Sequence, residues 1–191
     1  LSLHDALPIS TDDGVMQTFN FWKTVGDTCS VFTSVQSRTA DFPLQDIRSL
    51  LERAPQESFN MMAEVDKVST DVVFSKGIYS NDEQPGVELT RCLQATILAH
   101  KAAIHISSGD IHAQAVAHYN LGWAEYRAHT CLPSQLRKKP SSYSRAAIRC
   151  FKRAIELEAG NAEFWNAMGV VTSEVNVSVS QHAFVDRKSV V

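Results

Sequence analysis

No run of apolar residues in this 191-residue chain approaches the roughly 18 that a membrane-spanning helix needs, so no stretch reads as a transmembrane segment. Basic residues are not in surplus. Eighteen Lys and Arg against 21 Asp and Glu leave a net charge of −3, whereas bulk nucleic-acid binding shows as a basic excess. Cysteine is scarce. The four present, Cys29, Cys92, Cys131 and Cys150, form no CxxC pair, which leaves neither a zinc framework nor a disulfide scaffold and suggests a reducing compartment. The seven histidines make no HExxH-type motif. His100 and His105 are five apart and fall on different sides of a helix, and His112, His118 and His129 show no ligand spacing. No metal site is expected. A P-loop, a dinucleotide fingerprint, a GxSxG elbow and a carboxylate pair in a catalytic frame are also missing. The sequence therefore offers no catalytic residue and no cofactor site, and it is not read as an enzyme.

What is present lies mostly in residues 143–185, YSRAAIRCFKRAIELEAGNAEFWNAMGVVTSEVNVSVSQHAFV. Ala147, Ile148, Phe151, Ala154 and Ile155 recur at steps of one, three and four, which puts one apolar stripe on a helix. An Ala159-Gly160-Asn161 break follows, then a second helix with Phe164, Trp165, Met168 and Gly169. A-x3-F-x2-A, a break, then W-x2-M-G is the pattern of the tetratricopeptide repeat (TPR), a helix pair recurring about every 34 residues. The expected fold is all-α, a solenoid of such helix–turn–helix repeats, whose business is holding other proteins.

Two more pieces of the pattern lie upstream. His118-x2-Leu121-Gly122 has Trp123 and Tyr126 as its bulky neighbours, and Trp22-x2-Val25-Gly26 stands near the start. The small residues Gly122, Ala147, Ala154 and Gly169 are expected where two helices touch. Phe151, Trp165 and Tyr126 are expected to fill the spaces between successive pairs. In all, the repeat-packing set is Trp22, Val25, Gly26, Leu121, Gly122, Trp123, Tyr126, Ala147, Phe151, Ala154, Trp165, Met168 and Gly169.

Along the chain, apolar periodicity predicts helices over about 13–35, 44–53, 88–106, 111–128 and from 145 onward. Residues 10–68 read as degenerate TPR-like helices, 69–86 as a loop or degenerate repeat, and 87–185 as TPR repeats. The Ser108-Gly109-Asp110 turn is expected to stop its helix through a left-handed glycine. An unbroken repeat places the small residue of its first helix about twelve positions before that of its second. Gly122 and Ala147 are 25 apart, so 13 residues are extra. They fall near 130–143, in a polar stretch with two prolines that continues neither helix. Arg137, Lys138 and Lys139 in this insertion are a candidate contact for RNA or an acidic partner. Arg149, Lys152 and Arg153 read as a solvated helix face, with Lys152 and Glu156 able to pair at i,i+4.

The ends read differently. HDALPI (residues 4–9) can be encoded CAC GAC GCT CTT CCG ATC, and the reverse complement of that DNA encodes DRKSVV, residues 186–191. One oligomer thus writes both ends, as a sequencing adapter would, and residues 1–9 and 186–191 are expected to be adapter-derived. On that reading the rest is an internal fragment whose last repeat is cut in its second helix.

WKTVGDTC, LGWAEYRA, FWNAMGVV and SQHAFV, in this order, resemble segments of the TPR subunits of superkiller complexes. The likeness runs from about Phe19 to Val185, with Met168, Ala159 and Glu125 as departures. What it implies is a cytoplasmic, non-catalytic scaffold that holds an RNA helicase subunit and a WD-repeat subunit. Through them it would serve the cytoplasmic exosome in 3′-to-5′ decay of mRNA. A TPR adaptor of another complex, of chaperone or transferase type, is the first alternative on the residues alone, and an enzyme that carries TPRs as an appendage is the second.

Overall fold

The structure, a computed structural model, describes residues 14, 17–70, 87–131 and 140–173. Residues 1–9, most of the 69–86 segment, Arg137, Lys138 and Lys139, the SQHAFV stretch and residues 186–191 lie outside the described residues. The described part is all-α: seven α-helices, short 3-10 turns and no strand. In chain order they are α1 (Phe19–Ser34), α2 (Leu44–Glu52), α3 (Ala63–Asp66), α4 (Val87–Ile106), α5 (Ile111–Cys131), α6 (Ser142–Leu157) and α7 (Ala162–Ser173).

Capping chemistry sets most of the helix starts. The Thr18 hydroxyl accepts from the Phe21 amide ahead of α1, and Ser141 Oγ accepts from Ser144 ahead of α6. Asp110 Oδ1 accepts from Ala113 at the start of α5, and Asn161 Oδ1 accepts from Glu163 at the start of α7. These are the short polar side chains that satisfy the orphan amides of a first turn. The Ser107–Gly109 turn is a 3-10 turn closed by the Asp110 amide on the Ser107 carbonyl. Gly109 does not take the left-handed backbone that the sequence suggested. Positive φ occurs instead at Met62 and Lys67, which bracket the one-turn helix α3.

The described residues fall into two compact units, one within Leu1–Met61 and Val68–Ile106, the other within Met62–Lys67 and Ser107–Val191. In the first unit α1 packs mainly on α4. Degenerate repeats were expected over 10–68, yet the partner of α1 lies beyond that segment, and α2 is a minor neighbour of α4. The core holds Trp22, Val25, Cys29, Ile47, Leu51, Ile97, Leu98 and Val68, none more than 3% exposed. Residues of the 36–60 stretch, in α2 and two 3-10 turns, also pack on α4.

In the second unit α5 and α6 make the main contact, and α7 and α3 both lie against α6. Ala115, Ala147, Phe151, Ala154, Ile155, Phe164, Ala167, Met168 and Val171 form its core. Burying one Leu- or Phe-sized side chain is worth about 1.5–3 kcal/mol, so this cluster is what holds α5, α6 and α7 together.

Candidate functional site

The organising contact of the second unit is a ring laid on a glycine. A Cβ built on Gly122 would stand 2.6 Å from Phe151 Cε1 and 2.8 Å from Cζ. No side chain fits there, so glycine is what lets α5 and α6 approach. Phe151 is fully buried. It therefore works inside its own helix pair, not only in the space between pairs where the sequence placed it. Around it runs a chain of rings: Trp123 at 5.5 Å, Tyr119 at 5.9 Å, and Tyr119 in turn 5.1 Å from Phe164. Edge-on and offset arrangements like these add to plain burial. Trp165 donates its indole N–H to the Ala159 carbonyl at 2.8 Å, tying α7 to the turn before it.

The first unit repeats the device. A Cβ on Gly26 would stand 2.6 Å from His100 Cε1. Superposing His100 on Phe151 aligns ILAHKAAI (97–104) with IRCFKRAI (148–155), with Ile, Lys, Ala and Ile matching at four of the eight positions. Gly26 and His100 are 74 apart, while Gly122 and Phe151 are 29 apart, of which the sequence reading takes 13 as extra. On the same spacing, 29 minus 13 or 16, the stretch from Gly26 to His100 is longer by 74 minus 16, or 58 residues. They include α2. Sequence reading missed this pairing because histidine replaces the aromatic residue of the pattern. The matching Ile, Lys, Ala and Ile were the signal that could have found it.

Burial gives the two rings different chemistry. His100 is 3% exposed, and its Nδ1 finds no hydrogen-bond partner among the described residues. Desolvation pushes its pKa down to about 4, with Asp27 pulling up and Lys23 pushing down more weakly. His118, 8% exposed on α5, is also pushed down to about 4 by desolvation, then by Arg153 and against Glu156. Both are neutral at pH 7. The Cys29 and Cys92 thiols are raised, Cys92 to about 12, mainly by burial, so neither is a nucleophile. His112 behaves oppositely. It meets Glu158 at 2.6 Å on the surface, and that bond raises its pKa.

Of the residues singled out from sequence, Trp22, Val25, Gly26, Leu121, Gly122, Ala147, Phe151, Ala154, Met168 and Gly169 are buried, and Trp123, Tyr126 and Trp165 are half-buried. Ala147, Phe151, Ala154 and Met168 share one core with Trp123, Tyr126 and Trp165 packed against it. Trp22, Val25 and Gly26 belong to the first unit. Glu125, which departs from the family pattern, is fully buried in α5. Among the described residues no group of three or more His, Cys, Asp or Glu side chains is placed to hold a metal ion. No described helix is long and apolar enough to cross a membrane.

The geometry defines a class: an all-α protein of tetratricopeptide-type helical repeats, built from ring-on-glycine helix pairs. Comparison with known proteins adds particular relatives. The chain is 25% identical over 169 residues to Superkiller protein 3 of Saccharomyces cerevisiae, covering 86% of this chain. It is 27% identical over 163 residues to Superkiller protein 3 of Schizosaccharomyces pombe, covering 84%. A 40-residue stretch is 45% identical to Tetratricopeptide repeat protein 37 of Xenopus laevis. No protein-family model matches the chain. The chain spans 11% of the length of each of the two yeast relatives.

Proposed function

We propose that this chain is scaffold, with no catalytic role, in a superkiller-type assembly. It would hold an RNA helicase subunit and a WD-repeat subunit in the cytoplasm, and so support the feeding of mRNA to the cytoplasmic exosome for 3′-to-5′ decay. The observation that carries this reading is the extent of the likeness to the two yeast relatives, which covers both helix pairs and not one motif. The chemistry is compatible with it. The distinctive side chains are spent on holding helices at short range, and His100, His118, Cys29 and Cys92 are held in their neutral forms.

The domain reading enters this proposal with adapter-derived ends at 1–9 and 186–191 and with the repeats of 87–185 extended back to take in α1. In the first pair we take α1 and α4 as the two helices of one repeat and residues 35–86 as its insertion. Affinity purification of a tagged protein carrying this chain, followed by mass spectrometry, tests the function. A helicase and a WD-repeat protein are the expected partners. Recovery of chaperones with neither of them would replace this reading by the general adaptor.

A further inference from the structure

The outward face of α6 is a basic stripe in an acidic chain. Arg145, Arg149, Lys152 and Arg153 are all exposed, and Glu156 is the one acidic residue of the helix. Four minus one gives +3 for α6, where the whole chain carries −3. Glu156 pairs with Arg153 at 3.3 Å and with Lys152 at 3.9 Å. Arg145 and Arg149 stand one turn apart as like charges, and so do Arg149 and Arg153, a spacing that destabilises a helix. Arg145 also sits in the first turns of α6, where a cation opposes the helix dipole. Stability alone would not select this arrangement.

The first helix pair shows what the equivalent face can be used for. In the aligned register Arg149, Lys152 and Arg153 correspond to Leu98, Lys101 and Ala102 of α4, all three fully buried. There the chain covers its own helix: α2 and the 3-10 turns pack on α4, and Lys101 Nζ donates to the Val68 carbonyl at 3.3 Å. Where the face is covered from within it is largely apolar. On α6 the same positions are exposed and cationic.

We propose that the α6 stripe docks an acidic helix of a partner protein. Arg145 to Arg153 spans about 12 Å, two helical turns, which matches carboxylates presented at three- and four-residue intervals. Three of the four cations are arginines, whose planar fork pairs with a carboxylate through two parallel bonds. Single-stranded RNA is the poorer fit, because such sites join cations to exposed aromatic rings on which bases stack. The aromatics of α6 are Tyr143, half-buried, and Phe151, fully buried. The proposal goes beyond the scaffold reading by fixing the partner's chemistry. A scaffold that engages its partners elsewhere would leave that reading intact while this one fails.

The test uses the whole chain with two fluorescent probes: a helical peptide of about 15 residues carrying Glu at those intervals, and an oligouridine of similar length. The peptide should bind in low salt and weaken as salt rises. Arg149→Glu should weaken it roughly tenfold or more. The melting temperature of that variant should stay equal or rise, since the new carboxylate would face Arg145 and Arg153. A peptide with Lys in place of Glu should recover binding to the Arg145→Glu, Arg149→Glu double variant. Unchanged peptide affinity in Arg149→Glu, a lowered melting temperature, or tighter binding of the oligouridine than of the peptide would each overturn the proposal.

Discussion

Replacing Phe151 by Ala lowers the stability of the second unit by about 3–5 kcal/mol, the range for emptying a buried aromatic site. Phe151 is fully buried against Gly122, Trp123 and Tyr119. Its loss removes both the burial and the edge-on ring contacts. Gly122 leaves no side chain to collapse into the hole, so the upper part of that range is expected. Gly122→Leu in the normal background overpacks the same contact and costs about 1–3 kcal/mol. The two changes should not add: in the double variant the leucine enters the space that the ring vacates. Denaturant unfolding of the three variants checks this. Strict additivity would mean that ring and glycine do not share one contact.

The second large effect is acid lability from two buried neutral histidines. His100 and His118 have folded pKa values pushed from 6.5 to about 4. The unfolded chain therefore binds more protons than the folded one between those values. Stability is complete above about pH 6.5 and falls as pH drops, by about 1.4 kcal/mol per pH unit for each histidine. The fall levels off near pH 4, after about 3 kcal/mol per site. His112 works in the other direction, because its raised pKa favours the folded state below 6.5, but it lies on the surface and counts for little. His100→Phe copies the ring that α6 already carries over Gly122. It should remove the first unit's share of the pH dependence while keeping the fold. Urea titrations between pH 7.5 and 4.5 decide it: an unchanged slope in His100→Phe would show that His100 is not held neutral by burial.

Much of the second unit was legible because its pattern is intact. Ala147, Phe151 and Ala154 on one helix and Trp165, Met168 and Gly169 on the next fix both period and register, and the structure packs all but Gly169 in or against one core. The Gly122–Ala147 separation predicts 13 extra residues near 130–143, and the described helices on either side end at Cys131 and resume at Ser142. The first unit was legible only as separate helices. Periodicity reports which face of α1 and α4 is apolar but not which helix the face meets, and 52 residues separate their ends. Histidine at 100 then hid the ring of the pattern. Phe151's role within its own pair was not legible for a related reason: a one-dimensional pattern marks a large residue as a filler, whereas its contacts with Gly122, Tyr119 and Trp123 show that the ring also fills the gap within its own pair. The charge on α6 was visible from the start. What gave it meaning was the buried Leu98, Lys101 and Ala102 on the equivalent face of α4.

The measurement that tests the pairing most directly is a nuclear Overhauser contact between the Gly26 α-protons and the His100 ring in histidine-labelled protein. The account predicts a strong cross-peak between residues 74 apart in sequence, with the glycine protons shifted by the ring. A His100 ring that meets only its own helix, with Gly26 lying against α2, would contradict the pairing of α1 with α4 and the repeat built on it.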